Sequence, residues 1–236
     1  MRRLLLISSS TVHGYGYLDH CMSEVKDFLG GSRKILFVPF ALGDLDAYAA
    51  TVRHRLEAEG IAVRSVHQTA DPAQAVADAA AIFVGGGNTF RLLDTLYRMD
   101  LIDGLHARVM AGVPYIGTSA GSNLACPTIM TTNDMPIVQP ASFRSLDLVP
   151  FQLNPHYLDP DPGSTHKGET RETRLREYHE MNDTPVIGLR EGGMLRIEGD
   201  LMVLKGTVGA RIFVKDRPPR ESDPGADLSD LLHPAA

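Results

Sequence analysis

The chain has 236 residues, enough for one large domain or two small ones with a sizeable core. Its 23 Lys and Arg against 29 Asp and Glu leave a net charge of −6 with no basic stripe, which argues against nucleic acid as a partner but leaves room for a basic pocket taking a small anion. Two cysteines, Cys21 and Cys126, make no disulfide framework and no zinc-type pair, so a reduced, cytoplasmic setting is expected.

The N-terminal MRRLLLISSS turns polar too soon for a secretory signal and reads as a first buried strand. LDHCMSEVKDFLG is an amphipathic helix stopped by Gly30 and Gly31, and KILFVPF is a second strand. DLDAYAATVRHRLEAEG is a helix ending at Gly60, IAVRSVH a third strand, and DPAQAVADA opens a helix with Asp-Pro. AIFVGGG is a fourth strand breaking into glycines, followed by helices over NTFRLLDTLYRM and LIDGLHARVMAG and a further strand at VPYIGTS. No apolar run approaches the roughly 20 residues a membrane span needs.

This alternation of continuous apolar strands with helices predicts an α/β fold, doubly wound, with a mostly parallel central sheet and helices on both faces. Such sheets bind ligands beyond the C-terminal ends of their strands. Residues 127–167 are rich in Pro, Asn, Asp and Thr and read as loops and hairpins; GETRETRLREYHEMN is a charged helix. TPVIGLREGG, MLRIEGD, LMVLKG and ARIFVKD are short strands, giving extra hairpins in the C-terminal third. One α/β domain over residues 1–216 is expected, followed by a Pro-rich, weakly ordered tail over 217–236 in which LSDLL could dock.

Within VPYIGTSAGSNLA, Ser119 lies between Gly117 and Gly121 at a strand-to-helix junction. The G-x-S-x-G spacing there forces a turn so tight that the serine hydroxyl stands out above the sheet. A serine needs a base, and His156 in FQLNPHYLDP is the best placed of nine histidines, because Asn154-Pro155 sets a turn and apolar neighbours shield it. The histidine in turn needs an acid to hold its tautomer. Glu191, ending an apolar strand before two glycines, is favoured; Asp134 in TTNDMP is the rival. Gly85-Gly86-Gly87 would admit a ligand close to the backbone, but it is neither a dinucleotide fingerprint nor a Walker loop.

The motifs VGGGNTF, IGTSAGSN, NPHY, HKGETRETRL and GLREG follow one another in this order, and with them the chain resembles the peptidase E family of cytoplasmic aspartyl dipeptidases over roughly residues 1–215. The resemblance implies a sheet related to class I glutamine amidotransferases and cleavage of dipeptides that begin with aspartate. Ser119 would be the nucleophile, His156 the base, and Glu191 or, in a rival assignment, Asp134 the acid. Ala120 and Gly87 would supply the oxyanion-binding N–H groups.

An aspartyl-enzyme intermediate follows from that chemistry, with no metal and no organic cofactor. His166, Lys167, Arg171 and Arg174 form a basic cluster in an acidic chain. Arginine grips a carboxylate with two parallel hydrogen bonds, which suits an aspartyl side chain, although Glu169, Glu172 and Glu177 compete for the same arginines. Asn88 is a candidate for the substrate's amino end. The expected partner is a small Asp-X peptide, with no nucleic acid and no membrane, and a homodimer is compatible with the sequence. Two alternatives remain at this level: a related hydrolase acting on another aspartyl substrate such as the cyanophycin polymer, and a non-catalytic binding protein on the same scaffold. The order Ser, His, Glu differs from the Ser, Asp/Glu, His order of α/β-hydrolases, so the elbow does not by itself imply that fold.

Overall fold

Apolar residues on consecutive strand positions must be covered from both sides, and the chain does this by alternating strand and helix. A computed structural model describes residues 1–161, 163, 165 and 167–233. Strands β1 (Arg3–Ile7), β2 (Lys34–Val38), β3 (Ala62–Ser65), β4 (Ile82–Val84) and β5 (Tyr115–Thr118) are parallel. They are joined through helices α1 (Met22–Leu29), α2 (Leu45–Glu57), α3 (Pro72–Ala77), α4 (Thr89–Arg98) and α5 (Ile102–Met110). After α6 (Ala120–Leu124), the chain forms β6 (Gln152–Pro155), α7 (Arg171–Met181), β7 (Val186–Leu189), β8 (Gly193–Glu198), β9 (Leu201–Gly206), β10 (Ala210–Phe213) and β11 (Arg220–Ser222).

The central sheet runs β3-β2-β4-β5-β1-β8-β9, with β8 and β9 antiparallel at one edge. Its alternation is plain in β1. Leu5 and Ile7 pack with Phe28 of α1 and Val52 of α2, while Leu4 and Leu6 pack with Leu92 and Leu96 of α4 and Leu105 of α5. All of these side chains are buried, each stabilising the fold by about 1.5–3 kcal/mol. The helices therefore cover both faces, as the α/β alternation requires.

Two features depart from the sequence reading. The first lies in residues 127–167, expected as loops and hairpins. Their one named strand, β6, pairs in parallel with β7, with Leu153 opposite Ile187 and Pro155 opposite Leu189. Parallel neighbours cannot be joined by a tight hairpin, and α7 lies in the chain between them. These strands open a second, four-stranded sheet in the order β11-β10-β7-β6. The second departure is the tail. Residues 220–222 form β11 against β10, and a 3-10 turn at Ser229–Leu232 buries Leu231 and Leu232 beside Leu228 in the main core. LSDLL docks, and within the described residues 217–233 three leucines and a strand pairing hold the segment against the core. Among the described residues no helix is long and apolar enough to cross a membrane.

Candidate active site

Ser119 follows β5 directly and takes φ 51°, ψ −109°, a backbone conformation that is costly for any residue with a side chain. The turn around it is sterically closed. A Cβ on Gly117 would lie 2.5 Å from the Gly121 carbonyl oxygen, and one on Gly121 would drive into the carbonyl of Val84 on β4. Both glycines of the G-x-S-x-G spacing are thus demanded by close backbone approach. The Ser119 amide donates to the Ile7 carbonyl at 3.0 Å, and the Ser122 hydroxyl donates to the same oxygen at 2.7 Å, fixing the turn to the end of β1.

His156 follows β6, also at positive φ (53°). Its Nε2 lies 2.9 Å from the Ser119 hydroxyl and its Nδ1 lies 2.6 Å from Glu191 Oε1. The three side chains form one hydrogen-bonded line, with His156 between a hydroxyl and a carboxylate. The parallel register of β6 and β7 explains the encounter. Pro155 faces Leu189, so the residues just beyond each strand emerge side by side at one sheet edge. His156 and Glu191 are both partly open to solvent, their side chains 37% and 46% exposed.

Asp134 is directed elsewhere. Its Oδ2 accepts from the Thr89 amide (2.7 Å), the Thr89 hydroxyl (2.6 Å) and the Thr132 hydroxyl (3.2 Å), where it tethers the first turn of α4. No hydrogen bond joins it to His156 among the described residues. It nonetheless lines the same cleft, about 830 Å³ in volume, as Ser119, His156, Gly86 and Gly87. The cleft's far wall is formed by Ser9, Thr11 and Tyr17 from the segment after β1, and by Leu42, Ala47 and Tyr48 near the start of α2.

The glycine loop after β4 lies against this cleft. Gly87 has φ 133°, and a Cβ there would meet the Ala41 carbonyl oxygen at 2.6 Å, so no other residue fits. Among the described residues the Gly87 and Ala120 amides have no hydrogen-bond partner. Asn88, in contrast, is engaged at both ends of its amide: Oδ1 accepts from the Arg91 amide as the cap of α4, and Nδ2 donates to the Met135 carbonyl.

Arg171 opens α7 and lies within electrostatic reach of Asp134 and Arg174; burial, then the neighbouring Arg174 charge, push its guanidinium below the usual value. No carboxylate comes within salt-bridge distance of it among the described residues, whereas Arg174 pairs with Glu169 at 3.5 Å. Arg171 and Arg174 line a neighbouring cavity with Leu158 and Asp159. His166 lies outside the described residues.

Several residues that brace the site were given no role of their own in the sequence reading, although Asn154 and Arg190 lie within the NPHY and GLREG motifs. Asn154 donates to the Thr131 carbonyl and to Asn133, and Asn133 donates to the Pro155 carbonyl, holding the turn that presents His156. Arg190, beside Glu191, grips both oxygens of Asp159 at 2.7 Å and also pairs with Glu221 of β11, which keeps Asp159 below the usual carboxylate range. An arginine one residue from an acid, with an Asp three residues past the histidine, was the available sequence signal.

The likeness to known proteins extends over nearly the whole chain. It is 58% identical over 229 residues to the protein named Peptidase E of Streptomyces coelicolor, covering 97% of this chain and 94% of that one. It is 50% identical to the Drosophila melanogaster protein named "Probable alpha-aspartyl dipeptidase", covering 98% of each. In fold it matches the crystal structure of a peptidase from an acI-B1 Actinobacterium, with a TM-score of 0.72 at 19% identity over 97% of this chain and 96% of that one. The model of peptidase family S51 matches residues 4–205, the span that carries Ser119, His156 and Glu191, and the chain belongs to that family.

Proposed function

We propose that the chain is a serine dipeptidase that hydrolyses dipeptides with an N-terminal aspartate, through Ser119, His156 and Glu191. The observation that carries the reading is the continuous hydrogen-bonded line from the Ser119 hydroxyl through His156 to Glu191, built on a strained strand-to-helix turn. Membership of peptidase family S51 and the relatives named for peptidase E and alpha-aspartyl dipeptidase support the substrate class.

In the first half-reaction His156 Nε2 takes the Ser119 proton as Oγ bonds to the scissile carbonyl carbon. Glu191 stays ionised, accepts from Nδ1–H and stabilises the imidazolium. The Gly87 and Ala120 amides, unpartnered among the described residues, hold the oxyanion. His156 then gives the proton to the leaving amine, the C–N bond breaks, and an aspartyl ester of Ser119 remains. Water, deprotonated by His156, attacks that ester; the C–O bond breaks, Ser119 recovers its proton, and aspartate leaves.

Arg171, with no competing carboxylate at salt-bridge distance among the described residues, takes the aspartyl side chain. Asp134, whose side-chain hydrogen bonds among the described residues all fall on Oδ2, has Oδ1 left for the substrate's ammonium group. A cytoplasmic location suits the two buried, unbonded cysteines.

The test is release of free aspartate from Asp-Leu, with Glu-Leu, Asn-Leu and Ac-Asp-Leu beside it, by the wild type and Ser119→Ala. Cleavage of Asp-Leu alone, lost in the variant by several orders of magnitude, is expected. Folded wild type that cuts none of the four would sink the dipeptidase reading.

A further inference from the structure

The end of β1 touches all three segments that carry the proposed catalytic residues. Ile7 accepts from the Ser119 amide, as described above. Ser8, fully buried, does the rest. Its hydroxyl accepts from the His156 amide at 2.9 Å and donates to the Leu189 carbonyl at 2.7 Å, while its own amide donates to the Gly193 carbonyl at 3.1 Å. Leu189 and Gly193 flank Glu191 by two residues on either side. One hydroxyl therefore joins the segment after β6 to the end of β7 and fastens both to the central sheet.

His156 has particular need of this contact. At φ 53° its backbone is in a region that non-glycine residues seldom occupy, and such a conformation persists only when the surroundings hold it there. Among the described residues the partner of its amide is the Ser8 hydroxyl. The adjacent Tyr157 amide donates to the same Leu189 carbonyl at 3.2 Å, so that oxygen collects both sides of the turn. Removing the Ser8 oxygen would leave the His156 amide unsatisfied and let the turn relax toward an ordinary conformation, swinging the imidazole off the 2.9 Å contact with Ser119.

We infer that Ser8 is a positioning residue, whose hydroxyl holds His156 in its left-handed backbone conformation and in register with Glu191. The inference rests on the Ser119–His156–Glu191 reading above. Ser8 touches no reacting atom; it acts through the backbone of the base.

The experiment compares wild type, Ser8→Ala, Ser8→Cys and Ser8→Thr on Asp-Leu, with Ser119→Ala as the control for the underlying reading. A displacement near 1 Å at a catalytic group lowers rate by about 100-fold, so Ser8→Ala and Ser8→Cys should lose about 10- to 100-fold in kcat with KM within about threefold. Ser8→Thr, which keeps the hydroxyl, should recover most of that loss. The low-field proton resonance of a histidine Nδ1–H bound to a carboxylate should be present in wild type and Ser8→Thr and weakened or absent in Ser8→Ala. A purely structural role would lower Tm while leaving kcat and this resonance intact in the folded variant, and that result overturns the inference. If neither hydroxyl-free variant folds, amide exchange in the wild type decides: a protected His156 amide supports the inference and a freely exchanging one overturns it. Ser119→Ala as active as wild type would instead remove the reading beneath it.

Discussion

Replacing Glu191 with glutamine preserves the shape of the side chain and removes its charge, so it isolates what the carboxylate does for His156. Glu191 Oε1 lies 2.6 Å from His156 Nδ1, and in the proposed mechanism that contact fixes the tautomer that leaves Nε2 free to take the Ser119 proton. A glutamine can donate to Nδ1 and favour the opposite tautomer. A fully buried triad acid treated this way costs about 10⁴ in kcat. Glu191 is 46% exposed, so water can replace part of its effect and the loss should be smaller. We expect about 10²- to 10⁴-fold in kcat, about 3–5 kcal/mol of barrier. Tm should change little, because the pair is partly solvated.

Asp134→Asn is the matched comparison. That carboxylate tethers the first turn of α4 through Thr89, so the variant should lose about 1 kcal/mol of stability, about 2–4 °C in Tm for a chain of this length. Its kcat should stay within about tenfold of wild type while KM for Asp-Leu rises. Steady-state kinetics of aspartate release, with thermal melts on the same samples, reads all of these. Asp134→Asn losing more kcat than Glu191→Gln, with both folded, would refute the assignment of Glu191 as the acid.

Arg171→Met should cost about 10- to 100-fold in kcat/KM for Asp-Leu, the worth of about 1.5–3 kcal/mol for hydrogen bonds to a charged group. Asn-Leu, which lacks the carboxylate, should be hardly affected; unchanged discrimination between the two substrates would show that Arg171 does not grip the side chain. Deleting residues 217–236 removes β11 and three buried leucines, Leu228, Leu231 and Leu232. At about 1.5–3 kcal/mol each, that loss of about 5–9 kcal/mol rivals the whole stability of a typical domain. The truncated chain should fail to give a cooperative melt by circular dichroism, and a wild-type Tm would refute the docking argument.

His20 and His179 are both pushed below the usual imidazole value, chiefly by burial. Both ring nitrogens of His20, and Nε2 of His179, have no partner among the described residues. The unfolded chain therefore takes up protons first as pH falls, so stability is fully present above about pH 6.5 and is lost as pH drops through the lowered folded values. Urea melts at pH 7.5 and 5.5 should show this, with a smaller difference in His20→Gln; an identical pH dependence in that variant would exclude His20 as a contributor.

The parallel sheet and the Ser119 turn were legible because each depends on local chemistry. Strand runs such as LLLI and KILFV are apolar on both faces, and Gly117 and Gly121 are glycines for reasons of contact within one short turn. The second sheet was not legible. QLNP at β6 is short and half polar, and nothing in it signals a parallel partner more than thirty residues away. The tail misled for a related reason, since three leucines among Pro, Asp and Ser gain their meaning only from the core they reach. Asn88 was chosen for its place in the glycine loop; a helix N-terminus also claims an asparagine by preference, and its side chain caps α4. Which of Glu191 and Asp134 faces His156 is a matter of direction, which chain order does not encode.

Direction also explains why the three residues come together in an order unlike that of α/β-hydrolases. Ser119 belongs to the central sheet, whereas His156 and Glu191 belong to the second sheet, at the ends of two strands that pair in parallel. A slip of one residue in the β6–β7 register would exchange the faces of every side chain on the slipped strand and draw His156 away from Glu191. The fixed points against such a slip are the Asn154 and Asn133 hydrogen bonds on one flank, the Arg190–Asp159 pair on the other, and the Ser8 hydroxyl between the two sheets. The geometry of the proposed triad is thus a property of how two sheets are fastened together. Substitutions at those fastenings should change kcat before they change the fold, as the Ser8 series would reveal most directly.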